Sequence, residues 1–461
     1  MLKAIREKLY DRSKIDFSNL MFDNRKLRSL LIPLMMEQFL NSMMGMADTM
    51  MVSRVGSEAI SSVSLVDSIN TLIIQVFAAL ATGGSIVCSQ YIGHHEEDKA
   101  NEAARQLVLV ILVIATLIMA VCIGSCDGLL KLIFGSVEPA VMKNSRVYFL
   151  ITSVSFPFFS LFQAGSAFYR AGGNSRFPML ISITGNAINI IGNAVLIFGF
   201  NMGVTGAAIS TLFSRMFCFV VIAIYLRNPD QIIVIKSYLK IKPNLKLIKR
   251  ILHIGVPSGI ENGMFQFGKL AIQSSVSTLA TYAIAAQAMT IIMENINGIV
   301  GIAIGIGLMT VVGQTMGAGR IEEAKYYIVK LTKLAEIGIL VSCIVVLLIS
   351  KPIMLLADME EKSMELCFNM IIWITIVKPL AWVGSFIPAY GLRAAGDVKF
   401  SMLLGSISMW TCRVAISVFL IRVMGFGPIA VWIGMFSDWT IRSIAYFTRF
   451  ISGKWLNHKV I

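Results

Sequence analysis

Apolar runs of about 20 residues, the length that carries a helix across a ~30 Å hydrocarbon core, recur along the whole chain. The pattern predicts twelve, at 29–52, 60–84, 105–126, 146–168, 178–199, 204–226, 252–276, 280–309, 327–350, 366–391, 399–421 and 426–450. Polar positions inside them are not scattered. Helix one carries Glu37, Asn41 and Asp48, and helix five carries Ser182, Asn186, Asn189 and Asn193. Helix seven carries Asn262, Gln266, Lys269 and Gln273 with Glu261 alongside, and helix eight carries Gln287, Thr290, Glu294 and Asn297. Steps of three, four and seven follow the helical turn, so each set occupies one face. A carboxylate at mid-bilayer costs at least ~2.5–3.5 kcal/mol, so these faces turn away from lipid toward protein or a wet cavity.

The chain also repeats itself. Pro33 and Glu37 recur as Pro257 and Glu261, 224 residues later, and Gln90 and Gly93 recur as Gln314 and Gly317 at the same distance. The run from Tyr169 and Arg170 to Asn174 recurs as Leu392 and Arg393 to Asp397, 223 residues on. With six predicted spans in each half, both halves start on the same side of the membrane, so the repeat is parallel, about an axis along the membrane normal. The expected fold is an all-α polytopic membrane protein with twelve transmembrane helices in two six-helix lobes around a central cavity. Its expected divisions are a basic N-terminal segment at 1–28, a lobe at 29–226, a basic linker at 227–251, a second lobe at 252–450 and a tail at 451–461. The N-terminal segment is expected to form an amphipathic surface helix with Leu2, Ile5 and Leu9 toward lipid, and the linker to be partly helical.

Composition agrees with the membrane assignment: 56% of residues are hydrophobic and 14% charged. The net charge of +14 sits mostly in the N-terminal segment and the linker, which makes it a positive-inside signal rather than a nucleic-acid footprint. Both termini are therefore expected in the cytoplasm, and the protein in the inner (plasma) membrane with the lipid bilayer as its surroundings. The seven cysteines show neither metal-ligand spacing nor an extracellular cluster. Histidines 94, 95, 253 and 458 lie in or beside cytoplasmic segments, so no intramembrane catalytic set emerges and an enzyme is disfavoured. A channel is disfavoured too, for want of a selectivity constriction.

The candidate substrate cavity comprises Glu261, Asn262, Gln266, Lys269, Gln273, Glu294 and Lys378, with Met36 and Phe265 as adaptable or stacking walls. Lys269 and Lys378 are candidates to neutralise Glu261 or Glu294, whereas Arg215 and Arg442 are expected to snorkel or pair near helix ends. On helix one, Asp48 in the outer part and Glu37 nearer the inner surface are the candidate coupling acids. A desolvated carboxylate can exchange protons, and combined with amide oxygens and a hydroxyl it also suits a hard monovalent cation. Both ions remain open.

Several of these segments resemble the multidrug and toxic compound extrusion (MATE) transporters. They are Leu31 to Pro33 through Met46 to Thr49, Gly56 to Ile60, Gln90 to Gly93, Gly313 to Arg320, Tyr169 to Asn174 and Asn189 to Asn193. The resemblance covers residues 30–450. It implies secondary active export of small lipophilic organic cations against inward Na⁺ or H⁺ by alternating access, with no cofactor and as a monomer. It also implies that Asp48 couples the ion with Asn189, Asn193 and Thr211, the four being the candidate Na⁺ ligands. The chain departs from the family where some members have an acid at Asn193, and where the helix-seven glutamate of the family falls near Phe265 rather than at Glu261. The alternative within the same superfamily is a flippase for lipid-linked oligosaccharides, which calls for a more cationic cavity.

Overall fold

The computed structural model describes residues 9–135, 137–238 and 241–461, and every regular element among them is helical. Each predicted span is present as one helix or as a bent helix. In the first half these are α1 (Asn24–Ser53), α2 (Ser57–Gly93), α3 (Glu97–Gly124), the pair α5 (Pro139–Val154) and α6 (Phe156–Ala171), α7 (Arg176–Asn193) and α8 (Gly203–Tyr225). The short α4 (Cys126–Phe134) lies before the pair. Pro157, in the first turn of α6, follows a 45° bend from α5. The second half contains α9 (Leu245–Val276), α10 (Thr281–Gly317), α11 (Ile321–Leu356), α12 (Glu361–Val377), α13 (Val383–Ala394), α14 (Val398–Ser408), α15 (Ile416–Arg422) and α16 (Ile429–Ile451). Short π-helical turns extend α7 through Ala194–Gly199, join α12 to α13 through Lys378–Trp382, and join α14 to α15 through Met409–Ala415. Such insertions widen the helix locally and cluster at functional positions. Lys378 and Arg413 both sit on them.

Among the described residues, nine crossings, one of them the bent pair, are long and apolar enough to span a bilayer by length and composition alone. The other three helices are α1, α9 and α16, which carry Glu37 and Asp48, Glu261 and Lys269, and Asp438 and Arg442. Their acids and bases lower the mean hydropathy, and burial against protein is what makes them tolerable in a membrane.

The chain divides into two compact units, and the division differs from the sequence boundaries in two places. One unit is Arg28–Gly259; the other is Ile260–Ile461 together with the segment up to Leu27. The linker after α8 belongs to the N-terminal lobe. Asn101 Oδ1 accepts from the Val234 amide at 2.7 Å, Gln106 donates to the Lys242 carbonyl at 2.8 Å, and Asn244 donates to Glu102 at 2.6 Å. Among its described residues this linker contains no helix before Leu245; it runs in turns and bends tied to α3 by these side chains. The start of α9 packs there too. A Cβ at Gly83 would stand 2.7 Å from the Ile251 carbonyl oxygen and 2.8 Å from the Gly255 nitrogen, so only glycine allows this approach of α2 to α9.

The N-terminal segment, by contrast, docks on the C-terminal lobe. Glu323 accepts from the Met21 amide at 2.7 Å, the Phe22 amide donates to the Tyr327 hydroxyl at 2.9 Å, and that hydroxyl donates back to the Phe22 carbonyl at 2.8 Å. Residues 11–23 form turns and one short 3₁₀ helix, Arg12–Lys14, and the amphipathic surface helix expected before them falls mostly on residues 1–8, outside the described ones. Leu9 lines a largely apolar cavity of about 410 Å³ with Ile328, Pro388 and Phe450; Leu2 and Ile5 lie outside the described residues.

Candidate functional site

In the N-terminal lobe the polar stripes of α1 and α7 meet face to face. Asn41 Oδ1 accepts from Ser182 at 3.0 Å and from Asn186 at 2.9 Å. Two turns further along, Asn193 donates to Asp48 Oδ1 at 2.7 Å. An amide orientation is set by the hydrogen bonds it can make. With its nitrogen toward Asp48, Asn189 donates to that carboxylate at 2.8 Å while its oxygen accepts from the Thr211 hydroxyl of α8 at 3.3 Å. Asp48, Asn189, Asn193 and Thr211 therefore form one cluster. Asn193 Oδ1 is buried there without a hydrogen-bond partner. A buried acceptor left so costs roughly 1–3 kcal/mol, which an oxygen-seeking cation or an incoming proton donor would recover.

Asp67 of α2 adds a second acid. It accepts from the Tyr148 hydroxyl and from Asn70 Nδ2, both at 3.3 Å, and its charge and that of Arg215 reach Asp48. Arg215 does not snorkel: it donates to Ser155 Oγ at 2.7 Å and lies 4.8 Å from the centre of the Phe159 ring. Glu37 stands apart. Eleven residues of helix separate it from Asp48, about 16 Å of rise, and it faces Arg170 at 3.5 Å.

The same arrangement recurs in the other lobe. Glu261, the repeat partner of Glu37, is bound at 2.7 Å by Arg393, the repeat partner of Arg170. The acid and the arginine that the repeat reproduces are thus a structural pair in each lobe. In the C-terminal lobe the pair has gained a member, Arg442, 3.5 Å from the same Glu261 oxygen. Gly405 provides the space: a Cβ there would meet Glu261 Oε1 at 2.6 Å. Neither Lys269 nor Lys378 neutralises Glu261.

Deeper in this lobe Lys378 binds Glu294 at 2.6 Å and Arg413 binds Asp438 at 2.8 Å. Lys269 makes no ion pair among the described residues, and its side chain is accessible 5.6 Å above the Phe265 ring. The helix-eight stripe is largely structural: Gln287 accepts from the Trp432 indole at 2.9 Å, and Thr290 contacts Cys367 at 3.3 Å. Of the other predicted cavity residues, Asn262 and Gln266 are half-buried, whereas Gln273 and Met36 are exposed. Met36 belongs to the N-terminal lobe.

Comparison with known proteins decides the lineage. Residues 33–195 and 257–419 each match the MatE family model, two stretches offset by the same 224 residues as the internal repeat. The chain belongs to the MatE family. It is 25% identical over 443 residues to the uncharacterized transporter YisQ of Bacillus subtilis, covering 93% of this chain and 94% of that one. It is likewise 25% identical over 446 residues to the probable multidrug resistance protein NorM of Thermotoga maritima, covering 95% and 94%. Among solved structures, a multidrug resistance MATE family transporter captured in an outward-facing conformation superposes with a TM-score of 0.87 at 19% identity, covering 94% of this chain and 97% of that one. The protein is thus an all-α membrane transporter of the two-lobe, twelve-helix MatE plan.

Set on that plan, three functional candidates were missed by the reading of the sequence. Asp67 lies on a helix face that Asn70, Thr71 and Gln75 continue at helical spacing, and its partners are Asn70 of the same helix and Tyr148 of α5. Arg170 and Arg393 were visible only as letters of a repeated motif. A repeated acid and a repeated arginine at matching offsets were the signal that could have paired them.

Proposed function

We propose that this MatE protein is a secondary active efflux transporter. It exports lipophilic organic cations in exchange for inward Na⁺ or H⁺ by alternating access, from a cell membrane in which both termini face the cytoplasm. The observation that carries the reading is Asp48, held by Asn193 and by Asn189 with Thr211 behind it, beside an amide oxygen that has no donor. A hard cation prefers oxygen ligands, and the Asp48 carboxylate, Asn193 Oδ1 and the Thr211 hydroxyl offer them from three helices, α1, α7 and α8. A proton arriving at Asp48 would act differently, turning one acceptor oxygen into a donor and weakening its hold on the two amides. Either event changes the charge of the lobe by one, which is the requirement for coupling. The relatives named as multidrug resistance proteins support export of drugs.

The test is reconstitution in liposomes with a fluorescent lipophilic cation, under a Na⁺ gradient and a pH gradient imposed separately. Movement under one gradient, abolished in Asp48→Asn, is expected. Driven efflux by a properly inserted Asp48→Asn variant would remove Asp48 from the mechanism. Movement of a lipid-linked oligosaccharide with no cation transport under either gradient would replace the reading with the flippase.

A further inference from the structure

The loop that closes the repeated arginine motif is covered in one lobe and open in the other. In the C-terminal lobe, the segment after α16 folds over the loop between α13 and α14. Asp397 is bound there by Arg449 at 2.7 Å and faces His458 at 3.2 Å. A Cβ at Gly396 would stand 2.8 Å from Val460 Cγ2 and 3.3 Å from the His458 Cβ. In the same covering segment Trp455 is fully buried. Its ring stacks on Phe450 with centroids 5.5 Å apart, and its indole N–H donates to the Phe450 carbonyl at 3.1 Å.

The N-terminal lobe repeats the loop without this cover. Gly173, the counterpart of Gly396, shares its positive φ, +85° against +102°, yet a Cβ there would meet nothing within 4 Å. Asn174 stands for Asp397. Its Oδ1 accepts from the Arg176 and Phe177 amides at 3.1 and 3.3 Å, and its amide nitrogen has no acceptor among the described residues. At the repeat offset of 224, Leu226 stands for Phe450 and Gln231 for Trp455. Where the C-terminal lobe holds an indole, this lobe has a cavity of about 300 Å³. Its floor is buried, with Phe168, Tyr169 and Leu226 no more than 5% exposed. Its rim is polar, with Asn174 and Asp230 exposed and Gln231 half-buried. Phe177, 4.7 Å away, braces the Tyr169 ring, whose hydroxyl is buried without a hydrogen-bond partner among the described residues. Buried polar groups are almost always paired, so an orphaned hydroxyl in the wall of a cavity calls for a partner. The volume stands at the lower end of ligand pockets, which combine an apolar body with a few placed polar groups.

We propose that this cavity binds a flat two-ring aromatic molecule carrying a ring N–H, the class of the indoles and the purines. The ligand takes the place that Trp455 fills in the other lobe. Phe168 and Leu226 receive its rings, and the Tyr169 hydroxyl accepts its N–H. Asn174, Asp230 and Gln231 offer amide and carboxylate groups to its outer edge. The site lies at the end of α6, between its loop and the linker after α8, and shares no residue with the Asp48 cluster or the predicted substrate cavity. The inference therefore goes beyond the proposed export and needs no coupling ion.

The test uses the full protein in lipid nanodiscs without any gradient. Binding of indole is followed by equilibrium dialysis against empty nanodiscs, with benzofuran, the same shape without the N–H, as the second probe. Indole is expected to bind saturably and about fivefold tighter than benzofuran, the worth of one net hydrogen bond. Tyr169→Phe removes only the hydroxyl. Indole should then fall to the benzofuran level, while the unfolding temperature holds because that oxygen has no partner to lose. Gln231→Trp should fill the slot as Trp455 does in the other lobe and abolish binding of both probes, with membrane insertion unchanged. Competition with adenine separates the two sources of the ring. Displacement at lower concentration than by unlabelled indole assigns the site to purines, and weaker displacement assigns it to indoles. No saturable binding of indole or adenine, equal binding of indole and benzofuran, or binding that both variants leave intact would overturn the proposal. Binding is read without transport, so failure of this site and failure of coupling at Asp48 are separate results.

Discussion

Glu37 and Glu261 are the same residue of the repeat in different surroundings, and replacing each with glutamine isolates the difference. Glutamine keeps the volume and removes only the charge. At Glu261 the change leaves Arg393, at 2.7 Å, and Arg442, at 3.5 Å and 1% exposed, without an anion between them. Breaking a buried pair from one side costs about 3–5 kcal/mol, chiefly the price of the charge left behind. At Glu37 one arginine, 14% exposed and 3.5 Å away, loses its partner. A single long charged contact puts that loss at about 1–2 kcal/mol. For a lobe of roughly 200 residues these translate to falls in unfolding temperature of roughly 6–20 °C for Glu261→Gln and roughly 2–8 °C for Glu37→Gln. The assay is thermal unfolding of the purified protein in detergent, followed by intrinsic fluorescence, with membrane insertion checked for both variants. Equal shifts, or a larger one at Glu37, would refute the claim that Arg442 has made the C-terminal pair a three-member buried network.

The remaining predictions concern how the lobes are built. Gly405→Ala should displace the Glu261 carboxylate, whose Oε1 would lie 2.6 Å from the new methyl, and lower the unfolding temperature in the same direction as Glu261→Gln; an additive effect in the double variant would separate the two sites. Gly83→Val meets backbone at Ile251 and Gly255, where no side chain can swing aside, so inserted, folded protein should fall severalfold on gel filtration. Tyr327→Phe removes both buried hydrogen bonds to Phe22 and should speed limited proteolysis between residues 9 and 23 and lower the unfolding temperature by about 4–8 °C, as expected for two net hydrogen bonds of roughly 1 kcal/mol each.

Periodicity was enough for much of this. A spanning helix satisfies its backbone internally, so its length and greasiness are local properties, and all twelve crossings could be placed from the chain alone. The α1 and α7 stripes were equally legible. Polar residues spaced three and four apart in lipid must find one another, and Asn41 with Ser182 and Asn186, then Asp48 with Asn193, do so. The repeat was legible because duplicated segments keep their glycines, prolines and charges at a constant offset.

Charge partners were not legible. Lys269 shares its helix with Glu261, yet Glu261 is held by arginines from α13 and α16, more than 130 residues away in sequence. Asp67 meets Asn70 on its own helix, but its other partner, Tyr148, comes from a helix 81 residues away. Nor does the order of residues show that the segment before α1 docks through Met21 and Phe22 on Glu323 and Tyr327 of the C-terminal lobe. The sequence by itself determined where the chain crosses the membrane, which faces are polar and that it was built twice. Only the tertiary structure decided which charges cancel. Crossing depends on the free energy of each segment against lipid, whereas cancellation depends on distances of a few ångströms between segments that the order of residues does not encode.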